Sequence, residues 1–209
     1  VERMIADQNL PAIWMNAKRP HDCVYQDDEG AAYLATKRLL DAGRRHVIMV
    51  LPQNSSHYSV NDRLAGYERA IRENGSESNV ISIGHSQSII HGAAANGLPC
   101  LENLESPAGI VVGEAPTASL LRTVIENHYH RRVPQDVEIT TFIPQNQIEL
   151  EQLIVEPISG PVAPHYDLGK IAVETLMTKM DAPNTPLPPR VVPYHKNSKI
   201  FTSAWHAST

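Results

Sequence analysis

The sequence predicts an α/β fold in which parallel strands alternate with helices. Three observations carry that expectation. Apolar runs and amphipathic segments alternate along the chain, the apolar runs are nearly continuous, and the amphipathic segments carry helix-start and helix-stop residues. Continuous apolar runs suit strands covered on both faces, and strands separated by helices imply right-handed crossovers in a parallel sheet. With 209 residues, 42% of them hydrophobic, the chain is long enough to bury a core in one large domain or two small lobes.

Each element is justified in turn. Residues 1–10 are polar and helical in pattern without a start signal, so the chain is expected to begin partway through a domain. Leu10 to Asn16 is a short apolar run and reads as a buried strand. Asp27 to Ala42 reads as a helix, with acids at its start, Gly43 after its end, and Ala31, Leu34, Ala35 and Leu39 on one face. His46 to Leu51 is a buried strand. Ser56 to Asn74 is a helix closed by Gly75, with an apolar line through Leu64, Tyr67, Ala70 and Ile71. Asn79 to Ile83 and Ala108 to Val112 are strands. Pro116 to Tyr129 is a helix with proline in its first turn. Val137 to Phe142 is a strand, and Pro164 to Met180 a helix with Leu168, Ile171, Ala172 and Leu176 inward. A proline-rich stretch, 181–193, forms a stiff connection that runs into a last strand at Arg190 to Tyr194.

Composition excludes several function classes. The net charge of −5 and pI near 6.0 argue against this chain gripping nucleic acid by itself, since phosphate binding needs clustered Lys and Arg. No polybasic anchor, no bilayer-length apolar run and no signal peptide is present, so no membrane partner is expected. Cys23 and Cys100 form no CxxC pair, which favours free thiols and a cytoplasmic location. Ten histidines raise the question of a metal. His128 and His130 sit two apart on the expected 116–129 helix and its end, where side chains diverge, and His85 and His91 lack a carboxylate pattern. No metal and no cofactor is therefore expected. Phosphate-loop, dinucleotide-binding and nucleophile-elbow motifs are absent. The cluster Lys37, Arg38, Arg44 and Arg45 reads as a solvated helix end, or as a dimer or domain contact.

Three stretches carry a resemblance. Gln26 to Val50, QDDEGAAYLATKRLLDAGRRHVIMV, is similar to the signature helix and strand of lactose-repressor-type transcription regulators. Ser59 to Gly75 resembles that family's next helix, with its Arg-x-x-Gly-Tyr core at Arg63, Gly66 and Tyr67. Pro157 to Met177 resembles the family's return segment, in which a proline precedes Leu-Gly and a helix. All three occur in the family's order and spacing, and together they span nearly the whole chain.

The resemblance implies a type I periplasmic-binding-protein-like fold: two Rossmann-like parallel-sheet lobes joined by three crossing strands, with a small molecule held between them. On this reading residues 1–26 are a remnant of the N-terminal lobe, and 27–156 are the C-terminal lobe. Residues 157–180 are the return segment of the N-terminal lobe, and 181–209 the strand and tail of the C-terminal lobe. The C-terminal lobe is then complete and the N-terminal lobe partial. Such regulators act as homodimers and reach a DNA operator through a helix-turn-helix head, which this chain does not contain. The implied function is a non-enzymatic sensor whose effector, a carbohydrate or related small molecule, changes operator affinity. Two rivals are the sugar-binding component of a transporter and an enzyme on the same architecture.

Five residues are candidates for the effector site. Arg63 matches the position at which the family donates to ligand hydroxyls or carboxylates, a task suited to a rigid guanidinium fork. Its alternative is a surface pair with Asp62 or Glu68. Ser59 lies one turn earlier and faces the same way, or caps the helix. Tyr25 sits where the family places an aromatic ring near the ligand, or is a plain core tyrosine. Asn16 is a polar candidate at a strand end. The family's Asn-Asp after the 108–112 strand is here Gly113-Glu114, and its Gly-Phe-Asp-Asp after the next strand is Thr141-Phe142-Ile143-Pro144. The acid that grips the ligand in relatives is thus missing, Glu114 is the candidate replacement, and the ligand is expected to be held unlike a common hexose. The 84–92 loop also lacks the ring on which some relatives stack their ligand.

Overall fold

The computed structural model describes residues 2–53, 55–83, 99–102, 104–145 and 158–195. Expectations concerning the 84–92 loop, His85, His91, the Cys100 side chain and residues 196–209 lie outside the described residues. The chain divides into two compact units, Val1–Asp27 with Pro164–Tyr194, and Asp28–Ala163 with His195–Thr209. It passes from one unit to the other three times.

The first unit holds α1 (Glu2–Asp7), β1 (Trp14–Met15), β2 (Cys23–Gln26), α6 (His165–Asp181) and β7 (Arg190–Val192). Its three strands are parallel in the order β1-β2-β7. Val24, Leu168 and Val192 form its core, with Ile13, Ile171 and Ala172 packed against them. Beneath the sheet, Lys179 donates to the Asp22 carboxylate at 3.0 Å and to the Thr185 carbonyl at 2.9 Å. The Leu187 amide donates to the other Asp22 oxygen at 2.9 Å. One buried ion pair thereby fastens the proline-rich connection after α6 to the start of β2.

Two expectations fail here. The apolar run 10–16 gives a strand of only two residues. The domain bounds also differ: the last strand and the 181–194 connection, expected in the C-terminal lobe, belong to the first unit, and residues 158–163, expected with the N-terminal return segment, belong to the second. The reason is a register: Val24, Tyr25 and Gln26 of β2 pair with Arg190, Val191 and Val192. The return to the second unit comes at His195, which exchanges backbone hydrogen bonds with Val162.

The second unit holds α2 (Asp28–Asp41), β3 (His46–Pro52), α3 (Tyr58–Glu73), β4 (Val80–Ile83), α4 (Pro99–Glu102), β5 (Ala108–Val112), α5 (Ala115–Asn127) and β6 (Val137–Thr141). Its strands are all parallel, in the order β4-β3-β5-β6. After β3 the chain adds β4 on one side and then returns to add β5 on the other. The gap between β3 and β5 is therefore the switch point at which doubly wound sheets open a crevice beyond their carboxyl ends.

Ile48, Val50, Ile110, Val112 and Ile139 meet Leu101 and Leu104, from α4 and the turn after it, and Ala118, Leu121 and Ile125 of α5 in the largest apolar core. On the other face Leu39 of α2 lies against Gly109 of β5. The Tyr67 ring of α3 is fully buried, and its hydroxyl donates to the Val47 carbonyl at 2.9 Å and accepts from the Asn79 amide at 3.0 Å. Burial pushes the Tyr67 phenol pKa upward. Gly66 lets α2 and α3 touch: a Cβ there would overlap the Glu29 carbonyl oxygen and stand 2.9 Å from the Tyr33 amide nitrogen.

Two side-chain expectations are corrected. Leu34 is exposed rather than inward, because the buried face of α2 runs through Ala31, Ala32, Ala35, Thr36 and Leu39. Arg38 and Arg44 are not solvated. Both converge on Glu138 of β6, at 2.5 and 3.0 Å, with side chains 17% and 14% exposed. Arg38 also donates to Ser159 Oγ at 2.9 Å, and Arg44 to the Gln135 and Pro134 carbonyls.

Candidate functional site

The carboxyl edge of the second sheet gathers polar chemistry from four directions. α3 starts there because His57 caps it: its ring accepts from the Ser59 amide and lies 2.7 Å from Ser59 Oγ. Ser59 is buried in the first turn and Arg63 follows one turn on. α2 begins at the same edge with Asp28. The backbone leaving β5 contributes the Gly113 carbonyl, and the backbone leaving β6 contributes Phe142.

These parts meet at the Arg63 guanidinium. Its Nε and Nη2 both lie against Asp28 Oδ1, at 2.8 and 2.7 Å. Its Nη1 donates to the Gly113 carbonyl at 2.5 Å. Its plane rests on the Phe142 ring, 4.1 Å from the centroid, a favourable place for a cation. The Arg63 side chain is 16% exposed and that of Asp28 2%. A guanidinium clamped on three sides is a preorganised donor. It loses little side-chain freedom when it hydrogen-bonds a ligand, which favours binding.

Of the sequence candidates, the structure brings Arg63 and Ser59 to this edge, and Glu114 stands beside Gly113 as the exposed N-cap residue of α5, making no side-chain cap. Tyr25 and Asn16 belong to the first unit. Tyr25 is half-buried on β2 with Lys18 over its ring, and Asn16 extends the β1–β2 ladder by donating to the Val24 carbonyl at 2.8 Å.

Sequence reasoning missed Asp28 as the partner of Arg63, naming Asp62 and Glu68 instead, and missed Phe142 as its platform. The spacing of 35 residues between Asp28 and Arg63 leaves no local signal. The available clue was the acid pair at the start of a helix that must lie beside α3. Among the described residues no cluster of His, Cys, Asp and Glu is arranged to hold a metal ion, and no helix is long and apolar enough to cross a membrane. His128 ends α5, and His130 lies beyond it in a left-handed backbone conformation, outside the expected helix.

Comparison with known proteins gives this edge a context. Residues 36–197 match the periplasmic binding protein-like domain. The ribose operon repressor of Haemophilus influenzae is 29% identical over 179 residues, covering 84% of this chain and 52% of that protein. Catabolite control protein A of Priestia megaterium is 26% identical over 164 residues, covering 74% of this chain and 46% of that protein. The chain thus spans about half the length of the curated relatives it matches. Among solved structures, a LacI family transcriptional regulator from Enterococcus faecium with bound ribose superposes with a TM-score of 0.72 at 20% identity, covering 93% of this chain and 72% of that one. The chain therefore belongs to the periplasmic binding protein-like domain family, in the form that lactose-repressor-type regulators use as their effector-binding domain.

Proposed function

We propose that this chain is the ligand sensor of a cytoplasmic transcription regulator, not an enzyme, and that its effector is a small carbohydrate or a related polyhydroxylated molecule. The observation that carries the reading is the Arg63 guanidinium, fixed at the carboxyl edge beside the β3/β5 switch point. In doubly wound sheets this is where ligands sit. Ser59, His57 and Glu114 surround it with further hydrogen-bonding groups at the same edge. The named functions of the relatives, a ribose operon repressor among them, support a regulator over a transport component.

The signal is a linkage. An effector that binds one conformation of the regulator better than another shifts the equilibrium between them, and operator affinity follows by the same factor. The operator is reached through a helix-turn-helix head, and the working unit is a homodimer.

A thermal-shift screen of pentoses, hexoses and nucleosides tests the reading. A ligand at a hundred times its Kd stabilises the folded state by about 2.7 kcal/mol, or roughly 5–10 °C for a chain of this size. The shift should vanish in Arg63→Gln. A hit that survives Arg63→Gln unchanged would place the effector elsewhere and end this reading.

A further inference from the structure

We propose that Asp28 selects ligand charge at this site: by neutralising Arg63 from within the protein, it reserves the site for uncharged polyhydroxylated ligands and turns away phosphorylated or carboxylated analogues. This rests on Arg63 being the anchor of the effector site.

The geometry carries the argument. Both Nε and Nη2 of Arg63 lie within 2.8 Å of one Asp28 oxygen, so the pair has no net charge where a ligand would approach. Asp28 cannot swing into solvent to vacate the guanidinium, because its side chain is 2% exposed and it opens α2. The negative charge is therefore a fixed part of the site. Asp62, next to Arg63 on α3, and Glu114, next to Gly113, are also acids close by in sequence.

A ligand phosphate or carboxylate at the remaining N–H groups of Arg63 would meet a guanidinium whose charge Asp28 already offsets from its other side. Its attraction to one would be offset by repulsion from the other. A neutral hydroxyl meets no such cancellation. Hydrogen bonds from guanidinium N–H groups and from Ser59 or His57 need no ligand charge, and a hydroxyl both donates and accepts.

Inorganic phosphate is the probe, because it tests Asp28 without knowledge of the natural effector. Melting temperatures are measured in phosphate and in sodium chloride of equal ionic strength, for wild type, Arg63→Gln, Asp28→Asn and Asp28→Asn/Arg63→Gln. Wild type and Arg63→Gln should respond to phosphate alike, by no more than its general salting-out stabilisation. Asp28→Asn should gain a phosphate-dependent rise, with affinity improved about tenfold or more, and the added Arg63→Gln change should abolish it. A wild-type response to phosphate that Arg63→Gln removes overturns the proposal. So does a folded Asp28→Asn protein that gains nothing. If Asp28→Asn does not fold, the wild-type and Arg63→Gln pair decides alone, and an equal response in the two upholds the proposal.

The sugar screen runs beside this as a separate arm. If no sugar binds while Asp28→Asn gains phosphate, the carbohydrate reading falls and the charge role of Asp28 stands. If a sugar binds through Arg63 while phosphate also binds the wild type there, the effector reading stands and Asp28 has no selecting role.

Discussion

Replacing Gly66 by alanine tests how the site is built, because the glycine is where the helix carrying Arg63 touches the helix carrying Asp28. An added Cβ would overlap the Glu29 carbonyl oxygen and lie 2.9 Å from the Tyr33 nitrogen and 3.0 Å from Ala32 Cβ. Ordinary contact begins near 3.4 Å, so α2 and α3 must part by about an ångström, and the obstacles include backbone atoms that have no rotamer to change. Overpacking of this kind costs about 1–3 kcal/mol, and the upper end applies here. Alanine regains about 1 kcal/mol of helix propensity. The net loss is about 2 kcal/mol. With a urea slope of about 2–3 kcal/mol/M, the midpoint followed by far-ultraviolet circular dichroism should fall by roughly 0.8 M. Gly169→Ala is the internal control. This glycine sits in α6 with nothing within 4 Å of its would-be Cβ, so the same chemical change there should stabilise, by about 0.5–1 kcal/mol. A Gly66→Ala protein as stable as wild type would refute the close-contact argument.

Further outcomes follow from the ion pairs. Glu138→Ala should cost about 3 kcal/mol in thermal or urea unfolding, because it leaves the largely buried Arg38 and Arg44 facing each other without their shared carboxylate. Lys179→Met should cost a similar amount, about 3 kcal/mol, by stranding buried Asp22, whereas Lys37→Met in the exposed pair with Asp41 should shift the midpoint little. Hydrogen bonding from Arg132 holds the Asp136 pKa at about 2, below its ordinary 3.8. The group therefore contributes stability above about pH 4 that disappears as pH falls through 2, and acid-unfolding profiles of wild type and Asp136→Asn should differ near neutrality and converge below pH 2. Asp22 acts in the same direction. Burial works against its charge, but the Leu187 amide, Lys179 and His21 outweigh it and lower its pKa, so its contribution is also lost on acidification.

What the sequence revealed and what it hid divide on physical lines. β3 and β5 were legible because strands covered on both faces are apolar throughout, and α2 and α3 because their turns end in Gly43 and Gly75, both with positive φ. β2, the central strand of the first unit, went unread: Cys-Val-Tyr-Gln is four residues long and has polar flanks. β7 was read as a strand but assigned to the wrong lobe, since pairing with β2 across more than 160 residues depends on register and leaves no trace in spacing. The arginines were misjudged for a related reason. A helix end rich in Lys and Arg looks solvated until a glutamate on a distant strand is seen to lie beneath it. Arg63 was singled out through the resemblance, and its pairing with Asp28 is visible only in the structure.

The Arg-x-x-Gly-Tyr motif then acquires a physical reading beyond its use as a signature. Positions i, i+3 and i+4 share one side of a helix, and here they meet three different neighbours. Arg63 reaches Asp28 and the strand ends, Gly66 admits α2, and Tyr67 ties the start of β3 to the start of β4 through one hydroxyl. The distance from Arg63 to Asp28 is thus set by the glycine one turn away. Substitution of Gly66 cannot be a pure stability change, because separating α2 from α3 lengthens the pair that defines the charge of the site. Substitution of Arg63 leaves the helices in contact but strands the buried Asp28 carboxylate. A Gly66→Ala protein should therefore lose stability and sugar affinity together; Arg63→Gln should lose affinity too, with a stability loss of its own of about 3 kcal/mol from stranding the buried Asp28 carboxylate. If the two properties separated at Gly66, the coupling of helix packing to ligand charge would be wrong even with every contact in place.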